Sequence, residues 1–163
     1  MPTPVEKLIG GLRVESTPLL FEYAQSLLPT MMEIVAIASQ DLAVAVATKQ
    51  INPKGDLSSP EVMASIFPAL RNLAAYLQGK LEVLAPKVMA TTRVAAPISS
   101  GEMEWHELSK VKDRAYIFDE YPQLYMPILV HAGVVTFSRF FPELGRRGRE
   151  AAASTSKDSS PST

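Results

Sequence analysis

Apolar residues run almost unbroken from Met31 to Thr48, interrupted only by Glu33, Ser39, Gln40, Asp41 and Thr48. Glu33, Gln40, Asp41 and Thr48 recur at offsets of seven and eight, which a 3.6-residue period gathers onto one narrow stripe. The pattern predicts a helix with little polar surface, buried as the common core of the remaining elements. Its many alanines let neighbouring elements approach its backbone closely. A membrane span is the rival reading, since about 20 apolar residues suffice to cross a bilayer. The acids argue against it, because a charge at the centre of a span costs roughly 2.5 to 3.5 kcal/mol on insertion scales.

The rest of the chain reads as helices around this one. Residues 1–7 are polar with two prolines and form a flexible arm. Leu8 to Val14 flank the Gly10-Gly11 pair as a short extended piece or turn would. Ser16-Thr17-Pro18 signals a helix start, with Thr17 as cap and Pro18 at the first helical position, and Leu19, Leu20, Tyr23, Leu27 and Leu28 follow at helical spacing. Pro29-Thr30 marks a kink or a break before the central helix, which should stop near Lys49-Gln50, ahead of the turn formers at 51–56. Ser59-Pro60 opens a further helix carrying Val62, Met63, Ile66, Phe67, Leu70, Leu73 and Leu77, bent at Pro68. Gly79 breaks it before Leu81 to Met89.

Residues 95–101 read as a loop, Glu102 to Arg114 as a charged, solvent-facing helical segment, and Leu124 to Phe141 as a helix, since Pro127 and Gly133 oppose a central strand. Glu22 to Pro29 and Glu120 to Pro127 match at Glu, Tyr, Gln and Pro, an echo that would fit a duplicated half. The expected architecture is all-α: a compact helical bundle around a buried central helix over residues 8–144, with a disordered tail at 145–163 that is too polar to offset its ordering entropy.

Composition narrows the chemistry. A chain of 163 residues with 47% hydrophobic and 20% charged content is one globular domain by length. Sixteen basic against seventeen acidic residues leave a net charge of -1, so no global field draws nucleic acid or an anionic membrane surface. The absence of cysteine removes disulfides, thiol nucleophiles and thiolate zinc sites. With two histidines in all, a His-rich metal site is not expected, nor is a cofactor. The N-terminus lacks the apolar run of a secretory signal, which predicts a cytoplasmic protein.

Candidate chemistry is sparse. His106 lies among Glu102, Glu104 and Glu107, and an imidazole beside carboxylates suits a general base. No nucleophile or oxyanion motif accompanies it, so a solvated turn is the reading we adopt. His131, within an apolar run, reads as a core histidine, and Asp119-Glu120 as helix-start charge, because adjacent helical residues do not share a face. Gly10-Gly11 lacks the further glycine and the strand–helix context of a phosphate loop. Phe137, Phe140 and Phe141 are explained by packing, whereas Trp105, in a charged setting, is the plausible exposed anchor for a partner. No catalytic, cofactor-binding or metal residue is assigned.

From residue 8 to residue 47 the order is a Gly-Leu element, a Ser/Thr helix start, Leu-Leu-Phe, Leu-Leu-Pro and Ile-Val-Ala-Ile-Ala. This resembles the helical tail assembly chaperones of long-tailed bacteriophages, and the Ser-rich C-terminus resembles the loose tail of that family's short form. Residues 55–144 show no pattern that matches it. The resemblance implies a non-enzymatic protein that coats the tape measure protein, keeps its apolar helices soluble, recruits tail tube subunits and leaves before the virion is complete, by helix-in-groove binding. The other classes are a helical adaptor or structural subunit, homo-oligomers included, and a small enzyme using His106.

Overall fold

Gly10 and Gly11 have φ of 57° and 83°, the left-handed pair that a two-residue type I′ hairpin requires. They join β1 (Val5–Ile9) to β2 (Leu12–Ser16), with Ile9 opposite Leu12. In the computed structural model, which describes residues 2–47, 64, 66, 68 and 70–141, β2 pairs next with β3 (Thr92–Pro97) and β3 with β4 (Met103–Glu107). The result is a four-stranded antiparallel sheet in the order β1-β2-β3-β4. Buried Ser16 and Thr92 meet across β2 and β3 with their hydroxyl oxygens 2.9 Å apart.

This sheet overturns the all-α expectation: the fold is mixed, helices packed on an antiparallel sheet. The strands carry alternation with a period of two. Leu12, Val14 and Ser16 are buried while Arg13 is exposed and Glu15 half-buried between them. Residues 5–7, expected in the arm, belong to β1, and 95–97, expected in a loop, belong to β3. The expected charged helix from Glu102 is a strand as far as Glu107.

The described helices are α1 (Phe21–Ala47), α2 (Arg71–Leu77), α3 (Leu81–Val88), α4 (Val111–Glu120) and α5 (Tyr125–Phe137), with a 3-10 turn at Pro122–Leu124. Thr17 does not cap a helix. Its N–H donates to the Thr91 carbonyl at 3.0 Å and its own carbonyl accepts from the Thr91 hydroxyl, which delays the helix to Phe21. Beyond that point α1 runs through Pro29, so of the kink or break expected at Pro29-Thr30 the break does not occur. Pro127 falls in the first turn of α5, where its missing N–H costs no intrahelical bond. The echoed segments occupy unlike structures, the interior of α1 and the junction of α4, the 3-10 turn and α5. The Ser59-Pro60 start, the turn at 51–56 and the tail at 145–163 lie outside the described residues.

Among the described residues two apolar clusters form. The larger joins the inner face of the sheet to the helices through Ile9, Val14, Val94, Ile117, Ile128 and Phe137. The smaller consists of Ile66, Leu70, Leu73 and Leu77 against Ile34, Ile37, Ala38 and Leu42 of α1. The expected buried central helix is thus corrected: only 11% of its most apolar window is buried. The helix is shared between the two clusters and enclosed by neither.

Candidate functional site

At 1.5 Å per residue α1 is about 40 Å long, too long for a sheet of five- and six-residue strands to cover. Its first half packs through Ala24, Leu27, Leu28 and Met31 on the larger cluster, its second through Ile37, Ala38 and Leu42 on the smaller, and Ile34 touches both. A rotation of 100° per residue then places Met32, Ala36, Ser39, Gln40, Ala43, Val44 and Ala47 together on the opposite side. All of these are exposed, Met32 at 55% and Val44 at 60%. Leu20 and Phe21 continue the apolar surface at the start of the helix, at 76% and 55%. By length and composition alone, Phe21 to Ala45 would also suffice to cross a membrane.

Asp41, the acid that interrupts this apolar run, is 5% exposed. Its Oδ2 accepts the backbone N–H groups of Asn72 and Leu73, both at 3.0 Å, and its Oδ1 accepts the Asn72 side-chain amide at 2.6 Å. These are the second and third residues of α2, whose own N-cap position is Leu70, with no side-chain cap. Asp41 therefore caps a neighbouring helix from the last third of α1, placing a carboxylate at the positive end of its dipole. The Leu73 N–H first, then the Asn72 groups, hold the Asp41 carboxyl below the usual carboxylate range against the opposing effect of desolvation. One turn along, the Tyr76 hydroxyl donates to Glu33, and Lys80 Nζ stands 3.7 Å from the centre of the Tyr76 ring. The Glu33 bond raises the Tyr76 phenol above its ordinary value.

The outer face of the sheet is built differently. Leu8, Arg13, Ala95 and Trp105 form one row across the four strands, and Glu6, Glu15, Arg93 and Glu107 the next. Arg13 is held by both oxygens of Glu6 at 2.9 Å, and Arg93 by those of Glu15 at 2.9 and 3.1 Å. Their guanidinium carbons stand 5.6 and 4.6 Å from the Trp105 ring centre. Trp105 is half-buried rather than an open anchor, and the adjacent charges are engaged with one another.

His106 is on the opposite face of β4 from Trp105, buried in register with Val94, its ring 4.8 Å from that of Tyr116. Its Nε2 is buried without a hydrogen-bond partner. Of the acids that suggested a base, Glu107 is on the other face, paired with Lys110, and its backbone N–H goes to Asp113. Strand alternation puts Glu107 on the other face from His106, while Glu104, two residues back on β4, is exposed on the same side. His131 is buried in α5, as expected of a core histidine. Asp119 and Glu120 end α4 rather than starting a helix. Phe137 is buried, while Phe140 is partly buried against Phe21, with the Arg139 guanidinium over both rings.

Among the described residues no group of His, Cys, Asp or Glu is disposed to hold a metal ion. A shallow groove of about 360 Å³ lies between α3, α4 and α5, lined by Glu82, Met89, Arg114, Phe118 and Tyr125 among others. Sequence reasoning missed the Asp41 cap and the Arg–Trp lattice. An acid amid an apolar helix was the signal for the first, and the Leu-Arg-Val-Glu alternation of β2 for the second. Comparison of the chain with protein-family models, with curated proteins and with solved structures finds no match in any of the three.

Proposed function

We infer that this chain is a non-enzymatic protein-binding factor that shields the apolar helices of a client, in the manner of a phage tail assembly chaperone acting on tape measure and tail tube proteins in the host cytoplasm. The observation that carries the reading is the long apolar side of α1 left open by both clusters. Exposed apolar surface rimmed by polar groups is the property of interaction sites, and a helix is the element that a helical client fits best. The absence of Lys and Arg between Arg13 and Lys49 makes α1 a poor ligand for an anionic lipid surface. The burial of His106, with Glu107 on the opposite face of its strand, weighs against acid–base chemistry there.

Co-expression with the tape measure protein of the same genome tests this. The soluble fraction of the client should rise with the wild-type chain and fall with Met32→Glu or Val44→Glu, whose side chains are exposed and whose change leaves the fold intact. An unchanged soluble fraction with all three sinks the reading. Mass spectrometry of mature particles provides the second arm: stoichiometric retention of this chain would replace a chaperone by a structural subunit.

A further inference from the structure

Met32, Ala36, Ser39, Gln40, Ala43 and Ala47 make up a side of α1 that is exposed and belongs to neither cluster. It carries no charge of its own, and the acids nearby are engaged elsewhere, Glu33 by the Tyr76 hydroxyl and Asp41 by the Asn72 and Leu73 N–H groups. Its two polar members sit at its middle: Ser39 follows Met32 by seven residues, and Gln40 precedes Ala47 by seven. Laid antiparallel on a second copy, with the two-fold axis between Ser39 and Gln40, this side matches itself. Met32, its one large apolar residue, meets Ala47, Ala36 meets Ala43, and the polar pair meets the polar pair. Slipping by one turn lays Gln40 on Ala43 or Ser39 on Ala36 and leaves polar groups against methyls, so the polar pair fixes the register. The three alanines let the helix axes approach to about 8 Å.

We propose that this open side of α1 binds a second copy of the chain, the two helices antiparallel about Ser39 and Gln40. The larger cluster holds α1 chiefly between Ala24 and Met31, whereas the pairing uses Met32 to Ala47, so the sheet-bearing half of one copy falls past Ala47 of the other. With Val44 alongside, the side offers about 500 Å² on each copy, roughly 1,000 Å² for the pair, above most lattice contacts and below the standard size of a lasting complex. The pair is therefore weak and reversible, and the chain is monomeric when dilute. Weak pairing suits a face that also receives a client: the second copy covers the apolar surface between clients, and a client helix displaces it by mass action. Only that displacement rests on the protein-binding reading above.

The chain has no cysteine, which makes cross-linking of full-length single-cysteine variants a direct test. Ser39→Cys lies at the axis and should form an inter-chain disulfide under mild oxidation. Met32→Cys, about 22 Å along the helix from its counterpart in the second copy, should form none, and Met32→Cys combined with Ala47→Cys should link as Ser39→Cys does. No link at Ser39→Cys, or links at Ser39→Cys and Met32→Cys alone at equal rates, overturns the proposal. Sedimentation velocity of the wild-type chain should show a monomer–dimer equilibrium between low micromolar and near-millimolar concentration. Ala43→Glu sets a carboxylate against Ala36 of the second copy and should weaken the association at least tenfold, with the circular dichroism of wild type; undiminished association overturns the pairing. Should that variant lose its helicity, the cysteine series decides alone. A chain that is monomeric at every concentration yet solubilises its client sinks the pair and leaves the protein-binding reading, and a pair without client solubilisation does the reverse.

Discussion

Replacing Gly10 by alanine is expected to be far more damaging than the same change at Gly11, although the two are neighbours in one turn. Both have positive φ, 57° and 83°, so each substitution carries the left-handed penalty of about 1 to 2 kcal/mol. At Gly11 nothing lies within 4 Å of an added Cβ. At Gly10 the new methyl would fall far inside van der Waals contact with Leu124 Cδ2 and 3.3 Å from its Cδ1. Leu124 is 1% exposed, so its side chain has no solvent to rotate into, and overpacking adds about 1 to 3 kcal/mol.

The expected losses are then about 2 to 5 kcal/mol for Gly10→Ala and about 1 to 2 kcal/mol for Gly11→Ala. Urea unfolding followed by far-UV circular dichroism reads both. A double-mutant cycle isolates the contact: Leu124→Ala alone should cost about 2 to 5 kcal/mol, yet combined with Gly10→Ala it should cost about 1 to 3 kcal/mol less than the sum. Equal losses at the two glycines, or strict additivity with Leu124→Ala, would refute the docking of the hairpin on the 3-10 turn.

Asp41→Asn should lower stability at neutral pH and flatten its acid dependence. The folded carboxyl lies below its unfolded value, so its contribution is complete above about pH 4 and is lost as pH falls through the lower folded pKa. Unfolding curves from pH 7 to pH 3 should therefore converge for the two proteins on the acid side, and a constant gap would contradict the cap. Phe137→Ala should cost about 3 to 5 kcal/mol, because that ring is 2% exposed in the larger cluster; a thermal scan close to wild type would remove it from the core. Met32→Glu should stay within about 0.5 kcal/mol of wild type, whereas Ile37→Asp should detach α2, visible as loss of amide protection at 73–77. Trp105→Ala should produce a smaller fall in melting temperature than Phe137→Ala and make the remaining fall more salt-sensitive, since the Glu6–Arg13 and Glu15–Arg93 pairs lose their aromatic cover; a collapse of the fold would mean that the ring is a core residue.

Where one short stretch contains its own physics, the sequence was sufficient. Gly10-Gly11 between apolar flanks is a turn because two adjacent left-handed residues suit glycine alone. The chain breaks at Gly79, and Leu124 to Phe141 contains the helix α5, since its Pro127 is admissible only in a first turn. α1 is helical as its composition demands. Four things were decided elsewhere. β2 and β3 pair across some 75 residues of intervening chain, and strands of five or six residues carry too short a period-two signal to be told from loop or helix end; hence the missed sheet, and with it the misplacement of His106 beside Glu107. Periodicity found the narrow polar stripe on α1 but not the cover of its apolar remainder, because an apolar helix is buried only if enough partner surface exists, and short strands supply too little. Asp41 looked like an intruder in an apolar run until α2 supplied the N–H groups that it accepts. Hydrophobic pattern fixes local conformation; which faces meet, and which stay open for a partner, depends on contacts between segments that no local window contains.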